Sequence, residues 1–502
     1  MKKNKTNREI MFLSVDIGTS SVKAAVFDAS GREIATSMKM YAPESPKPGW
    51  LEVAPEIYWQ KTKEAVSETI DGIPCPSSIK AVGVTGQGET LVTLDGEGRP
   101  TGKAIVWLDT RAQEEAREIE SLFGMEKIYR TTGQAEVSAG YTASIILWLK
   151  KNEPDRFRLT EKFLLLNDYI VYRLTGSYAA NKALYPSTLY YDFEKEAWWG
   201  DMLGFLGIDD RKLPRLMDSG MPAGHVSATE TGLALDTPVC PAPIDQVTGA
   251  LGVGNIEQGT LSESTGTVLA LCAVTDIPPF DREMRFGFFP HAVKGKYLAM
   301  PWAPASGSIL SWFRKELCGG MPYEQLIEEA AGVAPGSEGL TVLPHFEGTN
   351  CPEKIPSARG VFWGLNLRHQ RKHFARAIME SVAYLLRDYI SILESCGIKA
   401  VRIISLGGAA RSSLWSRIKA DVTARDIVTS MSSATVCLGA AMVAAAGAGI
   451  FANCEEASKM MSREGRTFVP DDGAVKEYEK LYGIYRKLSA VSKNFYREEN
   501  DG

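Results

Sequence analysis

Residues 12–28, FLSVDIGTSSVKAAVFD, decide the fold. Residues 12–15 form an apolar run of strand character, Asp16-Ile17-Gly18-Thr19 reads as a turn, and residues 22–27 make a second strand. Asp28-Ala29-Ser30-Gly31 then turns the chain into a third strand over 33–40, so the sequence opens with an antiparallel meander at the edge of a mixed sheet. A related arrangement recurs where residues 260–263 and 268–273 flank Ser264-Thr265-Gly266-Thr267. The pairs Gly18-Thr19 and Gly266-Thr267 lie 248 positions apart (266 minus 18), about half of the 502 residues, which indicates duplicated halves that each start with a hairpin. Gly249, Gly252, Gly254 and Gly259 punctuate the join, and the chain divides into lobes at 1–252 and 253–502.

Between and after the hairpins, strand patterns at 81–85, 91–94, 105–107 and 401–406 alternate with helical patterns at 112–122, 144–151, 168–174 and 413–423. Ser412 is placed to cap the last of these. The alternation predicts α/β layers, whose ligands sit beyond the carboxyl ends of the strands, between lobes.

Bulk properties narrow the function. The length exceeds what one compact core supports, and 44% hydrophobic with 23% charged residues is ordinary globular usage. A formal charge of -5 gives no footprint for nucleic acid and favours a small-molecule substrate. The basic start of the chain lacks a long apolar run and a small-residue cleavage site, so it reads as a short tail entering the first strand. The longest apolar stretch, 436–451, is short for a membrane span and rich in Ala and Gly, which predicts a buried helix and no membrane partner. Eight scattered cysteines with no CxxC pair, and five dispersed histidines, predict reduced thiols in the cytosol and no zinc site.

Several segments carry candidate chemistry. In the first turn, backbone N–H groups with the hydroxyls of Thr19, Ser20 and Ser21 suit phosphate oxygens, Lys23 adds charge, and Asp16 suits Mg²⁺ held partly through water. Thr265, Gly266 and Thr267 form a second phosphate turn, and Gly407-Gly408 lets a nucleotide pass close to the backbone. Each of these also reads as an ordinary turn or a close packing contact. Asp245 follows a proline-punctuated strand and precedes a small-residue helix; it suits a carboxylate that takes the acceptor's hydroxyl proton and, equally, a helix N-cap. For the acceptor, Gln87, Glu89, Trp107, Asp109 and Arg111 stand at strand ends, with Gln246 beside Asp245; acids and amides bind sugar hydroxyls and Trp supplies an apolar wall.

Together these segments resemble the FGGY carbohydrate kinases, and GVFWGLNLRHQRKHFARAIMESVAY (360–384) is similar to the family's C-terminal signature. The resemblance spans nearly the whole chain. It implies two ribonuclease-H-like lobes of the actin/hexokinase/70-kDa chaperone superfamily, with sugar mainly on the first lobe and ATP mainly on the second. It further implies Asp245 as the catalytic base and a joint Mg²⁺ ligand with Asp16, and Gly266, Thr267, Gly307, Gly408 and Ser412 as nucleotide contacts. Relatives commonly dimerise, so a homodimer is one assembly it allows.

Departures fall where substrate is chosen. Gln87-Gly88-Glu89-Thr90 matches neither the Gln-Met-His-Gly of xylulokinases nor the Gln-Arg-Glu of glycerol kinases in full: Glu89 is shared with the latter but its Arg is lost. Ile145 replaces a Lys expected before Trp148, and Ala242-Pro243-Ile244 replaces a glycine-rich run. The expected reaction is transfer of the γ-phosphoryl of ATP to a hydroxyl of a ketopentose such as xylulose. The alternatives are a glycerol or erythritol kinase and, from another class, an actin- or chaperone-like ATP-driven binding module.

Overall fold

The computed structural model describes residues 10–498; the basic tail read at 1–9 lies outside the described residues. The meander forms Met11–Ile17, Ser21–Asp28 and Glu33–Met40, so Asp16 and Ile17 belong to the first strand and the turn proper begins at Gly18. The second strand is buried on both faces from Ala24 onward, Ala24 and Val26 packing into one core and Ala25 and Phe27 into another, whereas the third strand is largely accessible.

The first sheet has six strands in the order Gly224–His225, Pro238–Ile244, Ile79–Gly86, Met11–Ile17, Ser21–Asp28, Glu33–Met40. Met11–Ile17 runs antiparallel to Ser21–Asp28 and parallel to Ile79–Gly86, which is parallel in turn to Pro238–Ile244. The second sheet repeats this pattern. Gly259–Thr265 runs antiparallel to Leu269–Thr275 and parallel to Ala400–Leu406, which is parallel to Asp426–Ser430. The hairpins that opened each half are therefore the first two strands of one duplicated topology, and the parallel strands complete each copy.

Residues 436–451 do form a buried helix, Thr435–Gly447, and it packs against the first sheet although it belongs to the second half of the chain. It covers Phe12, Ala25, Phe27 and Ala81 on one face of that sheet and lies across Asp245–Gly252. Burying a side chain such as Phe12 or Phe27 contributes about 1.5–3 kcal/mol. The approach is backbone on backbone. A Cβ on Gly83 would lie 2.0 Å from the Ala440 carbonyl oxygen, and one on Gly439 1.9 Å from that of Thr248. Only glycine fits at either place, and the two helices are held together between the two sheets.

The expected strand at 105–107 is shorter, Ala104–Ile105, because the chain turns at Val106, whose carbonyl receives the Asp109 N–H at 2.8 Å. The other anticipated elements stand within one to two residues at either end, including Gln113–Phe123, Thr142–Asn152, Leu166–Thr175 and Ser413–Thr423. No helix among the described residues is long and apolar enough to cross a membrane. All eight cysteines are free thiols, five of them buried.

Candidate active site

A cavity of about 430 Å³ opens at the carboxyl ends of the parallel strands and is walled by both halves of the chain. From the first half come Thr19, Gln87, Glu89, Trp107, Glu136, Tyr141, Asp245 and Gln246; from the second come Val268, Ala270, Met300, Trp302, Asn350 and Lys354.

Asp245 is the first residue of the Asp245–Gly252 helix, one position inside the Ile244 cap, so it is not the N-cap. Its Oδ1 accepts the Gln246 N–H at 2.8 Å. Burial, then the negative charge of Asp16 and that of Glu89, holds its proton well above the usual carboxylate range. Asp16 does not line the cavity but lies close enough to couple to Asp245. Burial pushes it up to about 6 against the pull of Lys23, its partner across the strand pair. Glu89 is pushed up to about 7 by burial and by Glu136, opposed by the Ser187 hydroxyl. It sits at φ 53°, a left-handed conformation uncommon for a non-glycine residue, in a turn closed by Thr90 N–H donating to the Gly88 carbonyl at 2.6 Å.

One hydrogen-bond chain fixes one wall of the cavity. Trp107 Nε1 donates to Thr19 Oγ1 at 3.0 Å, so the Thr19 hydroxyl must give its own proton to Gln87 Oε1 at 3.1 Å. The Gln87 amide is thereby oriented with its NH₂ away from Thr19, buried and without a well-formed partner, and Gln246 Oε1 is a buried acceptor without one. A buried unmade hydrogen bond costs about 1–3 kcal/mol, which a hydroxyl-bearing ligand recovers. The Thr19 hydroxyl is thus engaged by Trp107 and Gln87 at the cavity wall. Among its neighbours, Ser20 is exposed, Ser21 opens the second strand and contributes its carbonyl to the Gly18 N–H, and Lys23 serves as the charge beside Asp16.

Asp109 and Arg111 are corrections. Asp109 is 1% exposed and takes hydrogen bonds from Leu51 N–H (2.6 Å), Arg111 N–H (2.8 Å), Arg111 Nε (2.9 Å) and Arg111 Nη2 (2.7 Å). The Arg111 guanidinium lies 3.7 Å from the Trp50 ring centroid and also bonds Glu52. This pair is an internal clamp: both Asp109 oxygens are taken, and of the Arg111 donors Nη1 alone, buried, is left without a partner.

In the second half, three segments gather at the strand ends. Ser306 N–H and the Ser308 hydroxyl both donate to the Thr267 carbonyl (3.0 and 2.8 Å), and a Cβ on Gly307 would lie 2.6 Å from the Gly266 oxygen. Gly407, at φ 81°, lies beside Ser264, while a Cβ on Gly408 would meet open space. Ser412 caps Ser413–Thr423, its hydroxyl accepting Trp415 N–H at 3.2 Å, so its oxygen is already engaged. Beneath the turn, Lys419 Nζ donates to Glu263 Oε1 (2.6 Å) and Thr265 Oγ1 (2.9 Å), and the Thr265 hydroxyl donates to Glu263 Oε2 (2.7 Å). Sequence reading missed this buried network, and it missed Glu136, Tyr141, Asn350 and Lys354, which lie in loops or at a helix start without periodicity.

The donor set fits Mg²⁺ in one respect: two neighbouring carboxylates lack compensating positive charge beyond Lys23, and this ion takes one or two carboxylates with phosphate and water oxygens. Among the described residues no cluster of three or more His, Cys, Asp or Glu offers a full protein cage.

Residues 11–252 match the N-terminal domain, and 273–448 the C-terminal domain, of the FGGY family of carbohydrate kinases. The chain is 31% identical to the xylulose kinase of Lactococcus lactis, covering 98% of this chain and 99% of that protein. It is 30% identical to the xylulose kinase of Bacillus subtilis, covering 96% and 97%. Its fold is that of the ligand-bound xylulose kinase of Lactobacillus acidophilus, with a TM-score of 0.90 at 23% identity over 97% of this chain and 99% of that one. The chain belongs to the FGGY carbohydrate kinases and is an ATP-dependent sugar kinase.

Proposed function

We propose that the chain transfers the γ-phosphoryl of ATP to a terminal hydroxyl of a ketopentose such as xylulose, in the cytoplasm, with Asp245 as base and Asp16 and Asp245 holding Mg²⁺. The observation that carries the reading is the placement of Asp245 in the same cavity as the oriented Gln87, Glu89, Trp107 and Gln246, electrostatically coupled to Asp16. Full-length likeness to xylulose kinases supports the acceptor.

The acceptor's hydroxyls meet donors on Gln87 and acceptors on Gln246 and Glu89, with the Trp107 ring against carbon. Asp245 takes the proton of the attacking hydroxyl, and the turns at 264–267 and 407–408 hold the nucleotide phosphates through backbone N–H groups. Bound Mg²⁺ neutralises phosphate charge and, beside two carboxylates, favours their ionised forms. Closure of the lobes at 1–252 and 253–502 excludes water and so limits wasteful hydrolysis of ATP. A glycerol or erythritol acceptor is the second reading, favoured by Glu89 where xylulokinases carry a His.

The pH profile tests the carboxylates. Asp16 at about 6 and Glu89 at about 7 are raised, so both are protonated below those values and ionise above them. If the ionised forms of these two and of Asp245, whose proton is also held above the usual range, are required, kcat/KM for the acceptor falls as pH drops to about 7 and below, and higher MgCl₂ moves that acid limb downward. An acid limb at the ordinary carboxylate range of about 4, indifferent to Mg²⁺, contradicts the assignment.

A further inference from the structure

Across the mouth of the cavity, Glu136 joins the two halves of the chain. Its Oε1 accepts from Asn350 Nδ2 at 3.1 Å and its Oε2 from Lys354 Nζ at 2.6 Å, partners 214 and 218 residues away in sequence. Tyr141 steadies the carboxylate from its own side, its hydroxyl donating to Oε1 at 3.4 Å. Glu136, Asn350 and Lys354 all line the cavity.

The segment bearing Asn350 and Lys354 is a pinched loop. Thr349 and Ile355 exchange both backbone hydrogen bonds, at 3.0 and 3.1 Å, and the Thr349 hydroxyl donates to the Glu353 carbonyl at 2.6 Å. A loop closed at its neck moves as a unit, and its tip is attached to the first half through Glu136. The Glu136 side chain is 13% exposed and that of Lys354 46%, so the pair is screened on one side only.

We propose that Glu136 is a positioning residue that fastens the 349–355 loop over the acceptor, retaining the bound sugar and neutralising Lys354, a rim cation that would otherwise receive a carboxylated acceptor; Arg285, which also lines the cavity, is held by Asp281. The proposal rests on the reading of this cavity as the acceptor site. It acts on acceptor binding rather than on the chemical step.

The test measures acceptor KM, ATP KM, kcat and Tm for Glu136→Gln, Lys354→Met, the double variant and the charge swap Glu136→Lys with Lys354→Glu, with Glu89→Gln as a reference for the cavity. The expected result is a rise of about fivefold in acceptor KM in each single variant, the size of a partly exposed ion pair. ATP KM and kcat stay within about twofold, the double variant is no worse than either single, and the swap recovers part of the loss. Glu136→Gln, with Lys354 freed, gains turnover on a sugar acid relative to the neutral sugar. Unchanged acceptor KM in Lys354→Met, additive effects in the double variant, or kcat and Tm falling together without a change in KM overturns the proposal. If Glu89→Gln also leaves acceptor KM unchanged, the cavity assignment fails with it; if Glu89→Gln raises KM while the rim variants do not, only the fastening role fails.

Discussion

Replacing Asp245 with Asn is expected to lower kcat by about 10²–10⁴-fold while leaving acceptor and ATP KM within severalfold, as loss of a positioned proton acceptor does. The same change is expected to raise the melting temperature of the ligand-free protein. The Asp245 carboxyl is buried, close to Asp16 and Glu89, and its ionised form is opposed by both. An amide of the same shape keeps the packing and removes the cost of holding a proton on this carboxyl, or of ionising it beside two others, so stability rises as activity falls. Steady-state kinetics and thermal unfolding on one preparation check both signs. Retained kcat removes Asp245 from the base role, and a lowered melting temperature contradicts the electrostatic account of its site.

The second large effect is on stability. Lys419 and Glu263 are both wholly buried, and each bonds Thr265 in the strand that leads into the Gly266-Thr267 turn. Lys419→Met leaves Glu263 charged and uncompensated in the interior, at a cost of about 3–5 kcal/mol. Adding Glu263→Gln removes the stranded charge and is expected to recover much of the loss. Denaturant unfolding of the single and double variants measures both. Because the network sits under the Gly266-Thr267 turn, which we propose holds the nucleotide phosphates, surviving Lys419→Met enzyme should show a higher KM for ATP with acceptor KM nearly unchanged. Equal destabilisation in the double variant would show that packing volume, not charge, sets the loss.

What the sequence disclosed follows from how local each feature is. The two hairpins were legible because antiparallel neighbours are adjacent in sequence, so Gly18-Thr19 and Gly266-Thr267 stood between readable strands. Parallel partners such as Ile79–Gly86 and Pro238–Ile244 are distant, and their order is set by burial on both faces, which leaves no alternation to read. Thr435–Gly447 was readable as buried from its Ala- and Gly-rich composition. Its seat against the first sheet was not, because that depends on the shape complementarity of Gly83 and Gly439. Asp109 misled because a polar residue at a strand end suits a sugar ligand as well as an internal clamp. The deciding partner, Arg111, is two residues away and by residue type suits a sugar ligand equally well. Glu136, Asn350 and Lys354 form one constellation only in three dimensions.

The central claim, that this cavity delivers a sugar hydroxyl to ATP, is tested most directly by ATP-to-ADP conversion with Mg²⁺ across ketopentoses, aldoses, sugar acids and polyols. The account predicts strong stimulation by a ketopentose, weaker stimulation by a small polyol, and little ATP turnover without an acceptor. ATP hydrolysis at one rate whatever acceptor is supplied would contradict it.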